Sequence, residues 1–360
     1  MPLTRKCVDS LGKYMEQIAA IAQQCSANSM HPPILWFRGQ SNASYSLIPS
    51  LFRTKAHAEK KAGVGNYTKL HYAEDIRTQH YIAKNFHLLS QEPSSRVEWL
   101  EVMQHHQVNT RVLDWSESSL HSLLFALEPF FDGIKYKEDS RKKCVPCVWV
   151  LTPKALNKKI MEYLQQDIDL QKSLMNDLGI TVSKQKALLH NFKEYGKFGV
   201  YSETEETNHI DYIFNLSSIN DELLRDRSRL KELLIKGDVI NPYYYLLSRI
   251  YSDGYVLKDR ILPPLCVVHP YHSERIKAQK GVFSVFPFYK EQPLDLNLRK
   301  NNINPDAMEF NNMAADCLYQ ILIKNPQKVA LEMLENGMND SWLYPEMPVV
   351  SSEIENHRIL

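Results

Sequence analysis

Glycine is scarce in this sequence, at 12 of 360 residues, which argues against an all-β fold built from many tight turns. Cysteine is sparse too. Cys7, Cys25, Cys144, Cys147, Cys266 and Cys317 are scattered through a long chain without framework spacing, so they read as reduced thiols of a cytoplasmic protein. The first residues, MPLTRKCVDSLGKYMEQ, contain no apolar signal region, and runs such as LLFAL at 123–127 are far too short to span a bilayer. Excess charge is also missing. The net charge of +1 excludes a strongly basic nucleic-acid binder, though not a local basic patch. No P-loop, no G-x-S-x-G and no G-x-G-x-x-G occurs, and no internal repeat or low-complexity tract. Cys144 and Cys147 have C-x-x-C spacing, but no second Cys or His pair stands at zinc-finger distance, so no metal is expected.

What remains is an ordinary globular composition, 44% hydrophobic and 24% charged. Helical periodicity marks 7–27, 66–88, 94–106 and 326–336, the last ending at Gly337. Short apolar strands are expected at 34–37, 144–153, 263–270, 281–288 and 317–323. The almost wholly apolar helix 117–131 should be central, with Ser116 as its N-cap. The sum is an α+β fold, a small mixed sheet surrounded by helices. From 154 to 250 the composition turns Lys- and Gln-rich, which reads as a helical insertion between core parts 1–153 and 251–350, with a tail at 351–360. The insertion includes an E-x-E at Glu203 and Glu205, read as a solvated charge run.

Three stretches carry chemistry. In LWFRGQS (35–41) a strand of large apolar residues ends on Arg38, followed by Gly39 and Gln40. Arginine pairs bidentately with phosphate or carboxylate, and glycine admits a ligand or a second backbone. An ion pair inside the protein would account for the same residues. The second stretch, QHHQVNTRVLDWS (104–116), gathers His106, Thr110, Arg111, Asp114 and Trp115 on a turn leading into the apolar helix. Such a turn is a platform for a site. Equally, Asp114 could cap the helix and pair with Arg111, leaving Trp115 in the core. The third, ERIKAQKGVF (274–283), is a basic helix that runs through Gln279 to Gly281 and into a strand with Phe283. A plain helix C-terminus explains it as well.

In this order the three stretches resemble the FRG-domain family, named for its Phe-Arg-Gly element. WFRGQ with Tyr45, Leu47, Pro49-Ser50-Leu51 and Arg53 begins the likeness. QHHQVNTRVLDWSES with Phe125-Ala126, ERIKAQKGVF, and a closing segment over 321–347 continue it. Gln107 stands where the family commonly has glycine, and Val108-Asn109 replaces Leu-Pro. The strand-end arginine also resembles the first strand of arginine-type ADP-ribosyltransferases, although no glutamate is placed here for the one those enzymes carry on a late strand.

That resemblance implies an enzyme using NAD as substrate to modify a nucleic-acid or protein acceptor, in the setting of a toxin or antiviral-defence effector. Arg38 would hold the diphosphate or ribose edge, with Gly39, Gln40 and His106 beside it. Trp115 or Phe283 would stack on nicotinamide. Asp114 would face the oxocarbenium-like centre, with Thr110 and Arg111 in its turn, and Gln279 would orient ribose hydroxyls or the acceptor. A non-catalytic module is the alternative, with Arg38, Arg111, Arg275 and Lys277 as a phosphate patch. A third reading makes 154–250 the docking surface for a partner protein. No reading involves a membrane.

Overall fold

The computed structural model describes residues 4–26, 33–53, 67–89, 92–131, 144–181, 242–253, 256–257, 262–269, 273–289 and 307–344, with isolated positions at 184–185, 188, 190, 229, 231–232, 234 and 271. The E-x-E loop, much of 182–241 and the tail at 351–360 lie outside the described residues.

The fold is α+β. Among the described residues seven strands form one mixed sheet in the order β1-β9-β4-β2-β3-β7-β6. They are β1 (Thr4–Val8), β2 (Trp36–Gln40), β3 (Val112–Ser116), β4 (Cys147–Leu151), β6 (Leu265–Val267), β7 (Gly281–Val285) and β9 (Leu318–Ile323). Two short strands, β5 (Val256–Leu257) and β8 (Phe288–Tyr289), pair separately. Only β1 and β9 run parallel within the large sheet, and its other pairings are antiparallel.

Helices cover both faces, so an inner strand such as β4 is apolar on both sides and reads as a continuous run rather than an alternating one. One face packs under α1 (Leu11–Ser26), α4 (Ser119–Phe131) and α10 (Pro326–Glu335). Its core contains Phe37, Val148, Val150, Leu123, Leu127 and Val329. The other face packs under α3 (Arg96–His105) and α5 (Pro153–Gln166), with Trp36, Trp149, Trp115, Leu100 and Ile160 in its core. Neighbours in β2 therefore serve opposite cores, Trp36 one and Phe37 the other. Ahead of α3, α2 (Tyr67–Asn85) brings Glu74 into the interior.

Helix α5 opens the compositionally distinct stretch. Its Asn157 is fully buried and spans to β6 by donating to Cys266 O at 2.8 Å and accepting from Cys266 N–H at 2.9 Å. Three short helices complete the parts needed below: α7 (Pro242–Leu247), α8 (Glu274–Ala278) and α9 (Asn312–Ala315), with α6 (Ile168–Asp177) after α5. All six cysteine sulfurs are free thiols. Among the described residues no helix is long and apolar enough to cross a membrane.

Two local expectations change. Ser116 is the last residue of β3, and the α4 cap is Ser118, whose Oγ accepts from His121 N–H at 3.3 Å. Ser116 Oγ instead accepts from Ser118 N–H and donates to Gln279 O. Residues 4–8, partly assigned to the first helix from periodicity, form the edge strand β1.

Candidate functional site

The sheet nearly parts in its middle. Strands β2 and β3 share a single registered pair, Phe37 with Ser116, whereas β2 pairs with β4 over five positions and β3 with β7 over five. A cleft of about 640 Å³ opens at this seam, within the size range of small-molecule sites. The strand β2 contributes Arg38 from one side and β3 contributes Asp114 from the other.

These two residues meet across the seam. Arg38 Nη1 lies 2.7 Å from Asp114 Oδ2 and also donates to the Asp114 carbonyl oxygen at 2.5 Å. The arginine side chain is 18% exposed, the aspartate side chain 53%. Gln104, near the end of α3, donates to Asp114 Oδ1 at 3.2 Å and accepts from Thr110 Oγ1 at 2.9 Å. Burial of part of the Asp114 environment works against its charge. The nearby Arg38 guanidinium, a backbone hydrogen bond and Gln104 outweigh that cost and hold the carboxyl below its usual range. The Arg38 Nε is buried and has no hydrogen-bond partner among the described residues.

A carboxylate whose folded pKa is depressed contributes stability above its unfolded value, about pH 4, and loses it as pH falls through the folded value. Urea unfolding should therefore separate wild type from Arg38→Gln at about pH 7 and bring the two together at about pH 2. Equal separation at both pH values would show that the pair contributes nothing to folding.

Glycine at 39 has a structural cause. A Cβ there would lie 1.8 Å from Ser122 O and 2.7 Å from Ala126 N, both in the backbone of α4. The close approach allowed by this glycine is to a helix, which seats β2 and so aims Arg38. Gln40 lines the cleft, with its Oε1 accepting from Trp149 Nε1 at 2.8 Å. Gln279 also lines it, and donates from Nε2 to Leu343 O at 2.8 Å. Trp115 and Phe283 form walls rather than stacking faces, being 4% and 7% exposed. The Trp115 indole N–H donates to Ser284 Oγ.

Four of the singled-out residues stand away from the cleft. Thr110 is fully buried and acts on it through Gln104. Arg111 is fully buried, and its Nε donates to Glu74 at 2.9 Å. The remaining guanidinium nitrogens donate to the carbonyls of Phe286 and Ser252. It is therefore a core tie, and Arg38 is the partner of Asp114. His106 is exposed and packs its ring against His105 and Tyr81. Lys277, on the other side of α8, is exposed and pairs with Glu274.

The cleft also holds residues that motif reading left without a role: Tyr45, Arg53, Gln104, His105 and Phe125. Tyr45 and Arg53 stand inside the matched family stretch, so a signal was present without a function attached. Gln107 lines the cleft with φ of +61°. A left-handed residue here fits the glycine common at this position, and glutamine adopts it at a cost of roughly 1 kcal/mol.

Residues 33–132 match the sequence model of the FRG domain. The chain carries an FRG domain. Both seam strands, the Arg38–Asp114 pair, Gln104 and the α4 backbone behind Gly39 fall within the FRG domain, whereas Arg275, Gln279 and Phe283 form a wall beyond the matched residues. Among curated proteins and among solved structures nothing matches the chain.

The cleft concentrates positive charge, from the FRG domain and from the wall beyond it. Among the described lining residues Arg38, Arg53 and Arg275 face one carboxylate, Asp114. The arrangement suits an anionic ligand, with polar amides of Gln40, Gln104 and Gln279 around it.

Proposed function

We propose that the cleft takes NAD and that the protein is an ADP-ribosyltransferase-like enzyme modifying a macromolecule. The observation that carries this reading is the composition of the cleft: one carboxylate kept ionised by an arginine across the seam, with two further arginines lining the same space. The arginines supply the counter-charge for a diphosphate. Asp114 stands ready to stabilise the oxocarbenium-like centre formed when the bond between ribose C1′ and the nicotinamide nitrogen breaks. Nicotinamide leaves with the bonding electron pair. An acceptor oxygen or nitrogen then bonds to C1′ and gives up its proton to solvent. The resemblance of the Phe-Arg-Gly strand to arginine-type ADP-ribosyltransferases adds support.

Incubation with NAD labelled in its adenylate half tests this. Wild type should release nicotinamide and pass label to protein or nucleic acid. Asp114→Asn should lower the rate about a hundredfold or more, the scale of losing one electrostatic group aimed at developing charge. Absence of both nicotinamide release and label transfer by wild type sinks the reading.

The engagement of Asp114 by both Arg38 and Gln104 favours one other reading, a non-catalytic nucleotide-binding module in which the ion pair only shapes the cleft. Such a module would bind NAD without turnover, and Asp114→Asn would then cost no catalysis.

A further inference from the structure

The chemistry above engages the seam, where Arg38 meets Asp114, and the counter-charge of Arg53, and leaves Tyr45, in the part of the cleft built by residues 41–53, without an assignment. Tyr45 lines that part with 57% of its surface exposed. Among the described lining residues the other aromatic walls do not offer a face in this way. Phe37, Trp115 and Phe283 are all buried, and Phe125 is half-buried with its ring edge-on to Tyr344.

The loop carrying Tyr45 is not loose. Ala43 N–H donates to Val145 O at 2.7 Å, Ser44 N–H to Asn42 Oδ1 at 2.9 Å, and Tyr45 N–H to Asn42 O at 3.1 Å. Asn42 Nδ2 in turn reaches Cys144 Sγ at 3.2 Å, just ahead of β4. An exposed ring on a loop held by four hydrogen bonds is presented at low entropic cost to a binding partner.

Arg53 ends the short 3-10 helix Ser50–Arg53, whose Leu51 N–H donates to Thr110 O at 3.0 Å. The same turn of chain that orients Gln104 therefore anchors Arg53. It lines the cleft with Arg38 and Asp114, and its charge is disfavoured by burial and by Arg38 and favoured by Asp114. A bound anion on this wall would add to the single negative charge that Asp114 supplies.

We propose that Tyr45 and Arg53 form a nucleobase-and-phosphate subsite, so that the cleft selects nucleotides bearing a diphosphate, with the base on Tyr45 and the diphosphate between Arg53 and Arg38. This rests on reading the cleft as a nucleotide site and specifies which part of the nucleotide it grips. It requires no turnover. Aromatic rings take bases by their π-faces, and Tyr45 is the ring with a face to give.

Calorimetry on the full chain with ADP and with inorganic pyrophosphate tests this, using wild type, Tyr45→Ala, Tyr45→Phe and Arg53→Gln. Wild type should bind ADP more tightly than pyrophosphate. Tyr45→Ala should weaken ADP about tenfold and leave pyrophosphate unchanged, while Tyr45→Phe retains wild-type affinity. Arg53→Gln should weaken both ligands. No ADP binding by wild type, or ADP affinity of Tyr45→Ala within twofold of wild type, overturns the proposal. Nicotinamide release measured on the same proteins separates it from the catalytic reading. Tyr45-dependent ADP binding without release keeps the subsite and removes the transferase. Release by wild type with Tyr45-independent binding does the reverse.

Discussion

Glu74→Ala is expected to cost about 5 kcal/mol of stability, at the upper end for breaking a buried ion pair. Glu74 and Arg111 are both fully buried. The carboxylate accepts twice from Arg111, from the backbone N–H at 3.1 Å and from Nε at 2.9 Å. Removing it leaves a guanidinium in the core that cannot lose its charge, together with an orphaned N–H. The opposite truncation, Arg111→Met, should cost less, about 3 kcal/mol. There methionine recovers contact with Phe288, whose ring lies 4.9 Å from the guanidinium carbon. Urea unfolding of both variants at about pH 7 distinguishes them. Equal losses, or losses within about 1 kcal/mol of wild type, would deny Arg111 its role as the tie between β3, α2 and the β7–β8 corner.

Gly39→Ala should be nearly as damaging, at about 3 kcal/mol or more, the severe end of overpacking. The new methyl would drive between Ser122 O and Ala126 N, which are four residues apart and thus hydrogen-bond partners in the turn of α4. Neither is a side chain that can swing aside. The helix or the strand must move by more than an ångström, and Arg38, next in β2, moves with it. Thermal unfolding should show the loss, and the Arg38–Asp114 contribution at neutral pH should shrink in the same variant. An unchanged melting temperature would mean that β2 and α4 separate freely.

Much of this was legible in the sequence for a physical reason. Large apolar side chains mark a buried strand, so Trp36 and Phe37 stood out within ILWF, although β2 runs Trp36–Gln40 and carries Arg38 in its middle rather than at its end; the helix 117–131 packed against it stood out likewise. Arg38, Asp114 and Gln279 were singled out from three distant stretches, and they line one cleft. The pairing of charges was not legible. Arg111 lies three residues from Asp114 and looked like its partner, yet it points to Glu74, 37 residues earlier in a helix that is polar in composition. Nothing local distinguishes an arginine bound for the core from one bound for a cleft, because the decision is made by what long-range packing brings opposite it. Edge strand β1 was hidden similarly. Four of its five residues are exposed, and its register is set by Tyr319 to Ile323, more than 300 positions away.

The single bridge between β2 and β3 has a consequence for how the interior holds together. Beyond Phe37 and Ser116 the facing borders of these strands behave as sheet edges enclosed within the molecule. The Asp114 carbonyl, which a continuous ladder would have given to a neighbouring amide, is satisfied by the Arg38 guanidinium. A side chain thus does the stitching that backbone does elsewhere in the sheet. Whatever anion draws Arg38 away also unfastens the line along which the sheet divides, so that occupancy of the cleft and cohesion of the sheet are settled by the same group.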